Sequence, residues 1–156
     1  MMDPREFKAP FITIEDIRSA VAEFRKQYWP RDIIPVDIFG IVEFELGIEI
    51  RTIFNLREAG DVDALLLGDL KTIAVDQNDF LNERAQNRLR FSTAHEIGHL
   101  VLHLDTFSKI QYSSIDEWIA FFQRMPEDQY YWIEQHAYEF AGVRLILRLK
   151  FGKMTA

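Results

Sequence analysis

Cysteine is absent from the 156 residues, which excludes disulfides, cysteine-based zinc sites and a thiol nucleophile. Basic residues are in deficit: 18 Lys and Arg face 25 Asp and Glu, for a formal net charge of -7. Non-specific nucleic-acid binding needs clustered cations to displace counterions, so no direct nucleic-acid partner is expected. Arg84, Arg88 and Arg90 come nearest to a basic patch. No apolar run approaches the roughly 20 residues that cross a bilayer, so no membrane partner is expected. The start, MMDPREFKAP, lacks the apolar core of a secretory signal. A cytoplasmic location is the resulting expectation. Glycine and proline are sparse, 7 and 5, with no linker or repeat. One domain over residues 1–156 is therefore expected, with about the first ten residues flexible.

What is present is apolar and aromatic. Hydrophobic residues make up 48%, with 13 Phe, enough for a sizeable core and against disorder. TIEDIRSAVAEFRKQYW reads as an amphipathic helix, with Thr13 as N-cap and Asp16 completing a capping box. PVDIFGIVEFELG reads as a second helix, with Pro35 in its first turn and Gly47 at its end. IEIRTIF alternates and is β-branched, so it predicts a strand. DALLLGDLKTIAVD predicts a hairpin about Gly68 and Asp69. Helix returns from about Ala85 to His103. Ser114 and Glu117 predict a capping box for a short helix, and Pro126 precedes a long last helix to about Leu149. The expected fold class is α+β, with helices around a small antiparallel or mixed β-sheet.

Rotation by 100° per residue over residues 84–104 sorts the motif helix. Leu89, Phe91, Ala94, Ile97, Leu100, Val101 and Leu104 spread round most of it, which predicts burial. A single polar stripe remains: Arg88, Ser92, His95, His99 and His103. A buried polar stripe must face a cavity, a partner or a metal, because an unpaired buried polar group costs about 1–3 kcal/mol. His95 and His99 are one turn apart and can bind one ion from the same side. Glu96 lies about 100° round from His95 and can reach a water on the open side. This HExxH spacing joins two ligands to a general base. The plainer reading is two core histidines with backbone partners, which HExxH also matches by chance. Gly98 in mid-helix costs about 1 kcal/mol relative to Ala, which predicts a close neighbour. His103 is a further turn on, about 12 Å of rise from His95, too far to share an ion. It is expected to stabilise the helix C-terminus or to support a ligand.

A third ligand must come from downstream, where Asp105, Asp116, Glu117, Glu127, Asp128, Glu134, His136 and Glu139 are the candidates. Tyr130, Ile133, Ala137, Phe140, Ala141 and Leu145 define the apolar face of the last helix. Glu134 lies about 60° from Ala137, inside that arc; His136 lies about 100° away and Glu139 about 200°. An inward carboxylate is costly unless it is paired or bound to metal, so Glu134 is the expected ligand. The alternative is an ion pair with a buried arginine such as Arg88. The cofactor expected for His95, His99 and Glu134 is Zn2+, with Mn2+ or iron as alternatives. Glu96 would be the catalytic base. Tyr138, Tyr130, Tyr131 and His136 are the candidates for an oxyanion donor.

RLRFSTAHEIGHLVLH (88–103) resembles the signature of the ImmA/IrrE-type metallopeptidases, and IEQHAYEFAG (133–142) resembles their second motif. IIPVDIFGIVEFELGIEI and KTIAVD resemble the upstream helix and strand, so the resemblance spans about residues 12–147. It implies a zincin-like fold with an HExxH active-site helix, in which His95, His99 and Glu134 bind metal and Glu96 is the base. It also implies a zinc-dependent endopeptidase acting on a helix-turn-helix repressor-type partner, or a role in a toxin–antitoxin-like module. The second motif departs from the family, which usually ends in Leu-Leu-x-Pro where this chain has VRLILRLK. No helix-turn-helix segment is evident here, so a DNA reader would be a separate protein. The competing expectation is a metal-containing binding module that sequesters a regulator or toxin/antitoxin partner without proteolysis.

Overall fold

Three short strands carry the β part of the chain: β1 (Glu49–Ile53), β2 (Ala64–Leu66) and β3 (Thr72–Asp76), in the order β1–β3–β2. The computed structural model describes residues 2–30, 36–60 and 62–142. β1 runs parallel to β3 and β2 runs antiparallel to it; Ile73 sits beside Ile50 on one side and Leu66 on the other. The sheet is therefore mixed, and β2–β3 is the hairpin expected from the sequence. Its turn is pinned by Asp69, whose carboxylate accepts the Lys71 N–H at 3.0 Å and the Thr72 hydroxyl at 2.8 Å. Every residue of β3 is buried, as the middle strand of a covered sheet must be.

Among the described residues eight helices surround this sheet, so the class is α+β. α1 (Ile14–Tyr28) starts on the predicted box: Thr13 Oγ1 accepts the Asp16 N–H and the Asp16 carboxylate accepts the Thr13 N–H. α2 (Ile38–Gly40) is capped by Asp37 and widens into a π-helical turn over Ile41–Glu45. Gly47, at φ +65°, takes the left-handed conformation that ends this segment. Pro35 lies outside the described residues. α3 (Leu56–Gly60) and α4 (Gln77–Phe80) are short. α5 (Gln86–Leu102), α6 (Leu104–Ser108), α7 (Ile115–Arg124) and α8 (Glu127–Glu139) follow. At α7 the box is shifted: Ser114 accepts the Glu117 N–H, but the Glu117 carboxylate turns to the N–H and hydroxyl of Ser113. The expected run of the last helix to Leu149 lies beyond residue 142, outside the described residues.

α5 is the axle of the fold. Leu89, Ala94 and Ile97 are fully enclosed, with β2 packed on one side of the helix and α8 on the other. Burial all round holds only in its middle. Val101 and Leu104 stand about two-fifths exposed, because the chain turns away at His103 and leaves that end without a cover. Near the start of the chain Phe7 is buried edge-on against Phe121, and Ala9 donates its N–H to the Gln129 side chain. Among the described residues no helix is long and apolar enough to cross a membrane.

Candidate metal centre

Gly98 sets the distance between the two helices that build the site. A Cβ placed there would lie 3.1 Å from the Cα of Ala137 and 3.2 Å from its carbonyl oxygen. The helix gives up propensity at Gly98 so that α8 can approach α5 backbone to backbone. One turn of α5 on each side of that approach carries the polar stripe, and α8 meets it with Glu134.

His95 Nε2 lies 3.0 Å from Glu134 Oε2, and His99 Nε2 lies 3.0 Å from Glu134 Oε1. One ligand atom from each of the three falls within 4.8 Å of the others, and the group could hold a metal ion. Both imidazoles are buried; the Glu134 side chain is one-fifth exposed. They face a cavity of about 610 Å³ lined by Leu66, Phe107, Trp118, Phe122, Met125 and Tyr138, among others. Arg88 does not supply the alternative ion pair. It reaches Asp63 at 2.7 Å and Asp79 at 2.8 Å, and Arg57 contacts the same two acids. Arg57 and Arg88 thus share the carboxylates of Asp63 and Asp79, and Glu134 is left to the histidines.

Burial alone would raise the Glu134 carboxyl, but the hydrogen bonds from His95 and His99 outweigh it and hold it well below the usual range. Burial likewise pushes His95 down, but the bond to Glu134 and the charges of Glu96 and Glu134 prevail and raise it. The donor set of two neutral-capable imidazoles and an ionised carboxylate suits a borderline ion such as zinc. His95 Nδ1 is buried without a hydrogen-bond partner among the described residues. Its ring is held instead by packing, 4.3 Å between centroids from Tyr138.

Glu96 follows His95 and is also buried, pointing to the other wall of the cleft. Its Oε2 accepts the backbone N–H of Leu66 at 2.8 Å. The Leu66 carbonyl accepts the indole N–H of Trp118 at 2.9 Å. Both outward backbone groups of this edge-strand residue are therefore taken by side chains from helices. Burial raises the Glu96 carboxyl, against the lowering influence of His99 and His95.

His103 stays out of the three-residue group, as the rise per residue predicts. Its Nδ1 lies 3.0 Å from His99 Nδ1 and its Nε2 lies 3.0 Å from His136 Nδ1. Of the two roles expected for it, support of a ligand fits. A cationic role at the helix end does not, because burial pushes its imidazole down to about 2. His136 is likewise turned to His103 rather than into the cleft. Among the oxyanion candidates, Tyr138 and Tyr130 line the cavity and Tyr131 does not. Among the described residues Asp105, Asp116, Glu117, Glu127, Asp128 and Glu139 join no metal-binding group. The sequence reading missed the Leu66 N–H, Trp118 and the His103–His136 contact. The first is backbone and carries no residue signature; the last has a signal, since His136 sits two positions from Glu134 at the margin of the same inward arc. Comparison with protein-family models, with curated proteins and with solved structures gave no match, so the family resemblance rests on the motifs alone.

Proposed function

We propose that the chain is a zinc-dependent endopeptidase with a zincin-like HExxH helix, acting in the cytoplasm on a helix-turn-helix regulator-type protein. The observation that carries the reading is the convergence of His95 and His99 of α5 on Glu134 of α8, with Glu96 beside them in the same cleft. In this reading His95, His99 and Glu134 hold the ion. Zinc, when bound there, supplies a Lewis acid and lowers the pKa of a water towards ~7. Glu96 would then be the residue to accept a proton from a water in the cleft and to hand it to the leaving amine. Two features support Glu96 in that role. The Leu66 N–H holds one carboxylate oxygen and leaves the other facing the cleft, and burial raises the carboxyl above its ordinary value. The wall of β2 also supports a peptide substrate. Ala64 lies two residues before Leu66, so its backbone groups point the same way, and both residues line the cavity, where a peptide can meet that side of β2. The identity of the substrate follows only from the family resemblance.

The test is Glu96→Gln incubated with a candidate regulator. The variant is expected to keep zinc and fold and to lose cleavage. Cleavage at the wild-type rate would sink the assignment of the base. Retention of biological activity by a variant that cannot cleave would instead support the sequestering module.

A further inference from the structure

Three imidazoles run in a line from the metal centre into the protein. His99 Nδ1 meets His103 Nδ1 at 3.0 Å, and His103 Nε2 meets His136 Nδ1 at 3.0 Å. His103 is 1% exposed, so both its nitrogens depend on protein partners. The fold aims it deliberately. α5 ends at His103, whose backbone N–H still bonds to the His99 carbonyl while its own carbonyl already accepts the Phe107 N–H of α6. The Phe107 ring packs against both His99 and His103, at 5.3 and 5.5 Å between centroids.

We propose that His103 and His136 are positioning residues that fix the rotation and the tautomer of His99 as a metal ligand. The inference rests on the metal reading of His95, His99 and Glu134, and not on proteolysis. The argument is one of donors and acceptors. A neutral imidazole has one N–H and one lone pair, so a line of them can point only one way. His99 presents Nε2 to the centre, and a ligand nitrogen carries no proton, so its proton stands on Nδ1. His103 Nδ1 must then accept, His103 Nε2 must donate, and His136 Nδ1 must accept. Every nitrogen between the rings is satisfied by that assignment; when His99 Nε2 instead carries the proton and donates to Glu134, every bond of the line reverses, so a bound ion selects the direction. Outer partners of a ligand histidine commonly alter metal affinity 10–100-fold, and here that partner is imidazole rather than carboxylate or carbonyl.

Two measurements test this on the full chain, with Zn2+ as the probe. The first is histidine 15N NMR of the zinc-loaded wild type. His99 is expected as the Nδ1–H tautomer and His103 and His136 as Nε2–H. His103 carrying its proton on Nδ1 overturns the proposal. The second compares zinc affinity, by chelator competition, in His103→Asn and His103→Leu, with circular dichroism melts of the metal-free forms to establish folding. Asn keeps an acceptor near the position of His103 Nδ1; Leu fills the space without one. The proposal expects Asn to stay within a few-fold of wild type and Leu to lose about 10–100-fold. A role in packing alone gives the reverse order and overturns it. A wild-type chain that takes up no zinc overturns the metal reading and this proposal with it. Normal uptake with equal affinity in both variants removes this proposal alone.

Discussion

The backbone N–H of Leu66 on β2 donates to the carboxylate of Glu96 on α5 at 2.8 Å, tying the edge of the sheet to the candidate base. Leu66 is 1% exposed, so this N–H has no recourse to water. The two obvious substitutions at residue 96 therefore separate chemistry from structure. Glu96→Gln keeps an acceptor for Leu66 and removes a buried charge, so folding stability in urea is expected to hold or rise. Glu96→Ala leaves the N–H unpaired and is expected to cost about 1–3 kcal/mol. Loss of the base is expected to lower turnover at least ~100-fold in either variant. Equal stability of the two variants would show that the Leu66 bond contributes nothing.

Gly98 and Ala137 make a second prediction. Gly98→Ala gains about 1 kcal/mol of helix propensity. Its new Cβ, however, meets backbone atoms of α8 at 3.1 and 3.2 Å, and these cannot rotate away as a side-chain tip could. Overpacking of this kind costs about 1–3 kcal/mol, so a net loss of up to about 2 kcal/mol is expected in urea unfolding. Because α5 and α8 carry the proposed ligands between them, zinc affinity is expected to fall as well. A more stable variant with unchanged affinity would mean that α8 yields freely there.

The site was more legible in the sequence than its surroundings, for a physical reason. His95, His99 and Glu134 are placed by helical rotation within single helices, and that rotation is set by local backbone geometry. Gly98 was legible as well, because mid-helix glycine has a known cost that must be offset. The sheet order was not legible: the parallel pairing of β1 with β3 depends on a crossover, and no local pattern in IEIRTIF distinguishes it from an antiparallel edge. The alternative partner for Glu134, Arg88, pairs elsewhere, with Asp63 and Asp79. The rotation could not reveal that Asp63 and Asp79 stand nearer to it than Glu134 does. Val101 and Leu104 were expected inside, because hydrophobicity records what tolerates burial and not what is covered.

Asp76 gives the prediction for acid. It ends β3 and caps α4, and its carboxylate accepts the N–H of Arg57 at 3.0 Å and that of Asp79 at 3.2 Å. Burial would raise this carboxyl, but those two bonds prevail and lower it below its usual 3.8. A carboxylate lowered in the folded state contributes stability above the unfolded value, and that contribution is lost as pH falls through the folded one. Asp76→Ala is expected to cost about 1–2 kcal/mol at pH 7, as lost caps do. The gap from wild type should narrow below pH ~4, as the wild-type carboxyl protonates. Urea unfolding at pH 7 and pH 3 checks this, and a gap that widens in acid contradicts it.

Zinc itself should bind α5 to α8. The Glu134 carboxylate bridges His95 and His99, so the three proposed ligands converge on one point and little ordering entropy opposes loading. An ion that binds only the folded chain stabilises it by about 2.7 kcal/mol at a hundredfold excess over Kd. The melting temperature of the wild type is therefore expected to rise on zinc addition and to fall back with chelator. Glu134→Gln is expected to lose most of that response. It removes the charged ligand, and it also removes the charge that lets both imidazoles point inward. The metal-free variant should be less stable than metal-free wild type, because His95 and His99 lose a charged acceptor. Calorimetry of both proteins, with and without zinc, separates the two effects. An identical zinc response in the variant would remove Glu134 from the ligand set and leave it as the histidines' counter-charge.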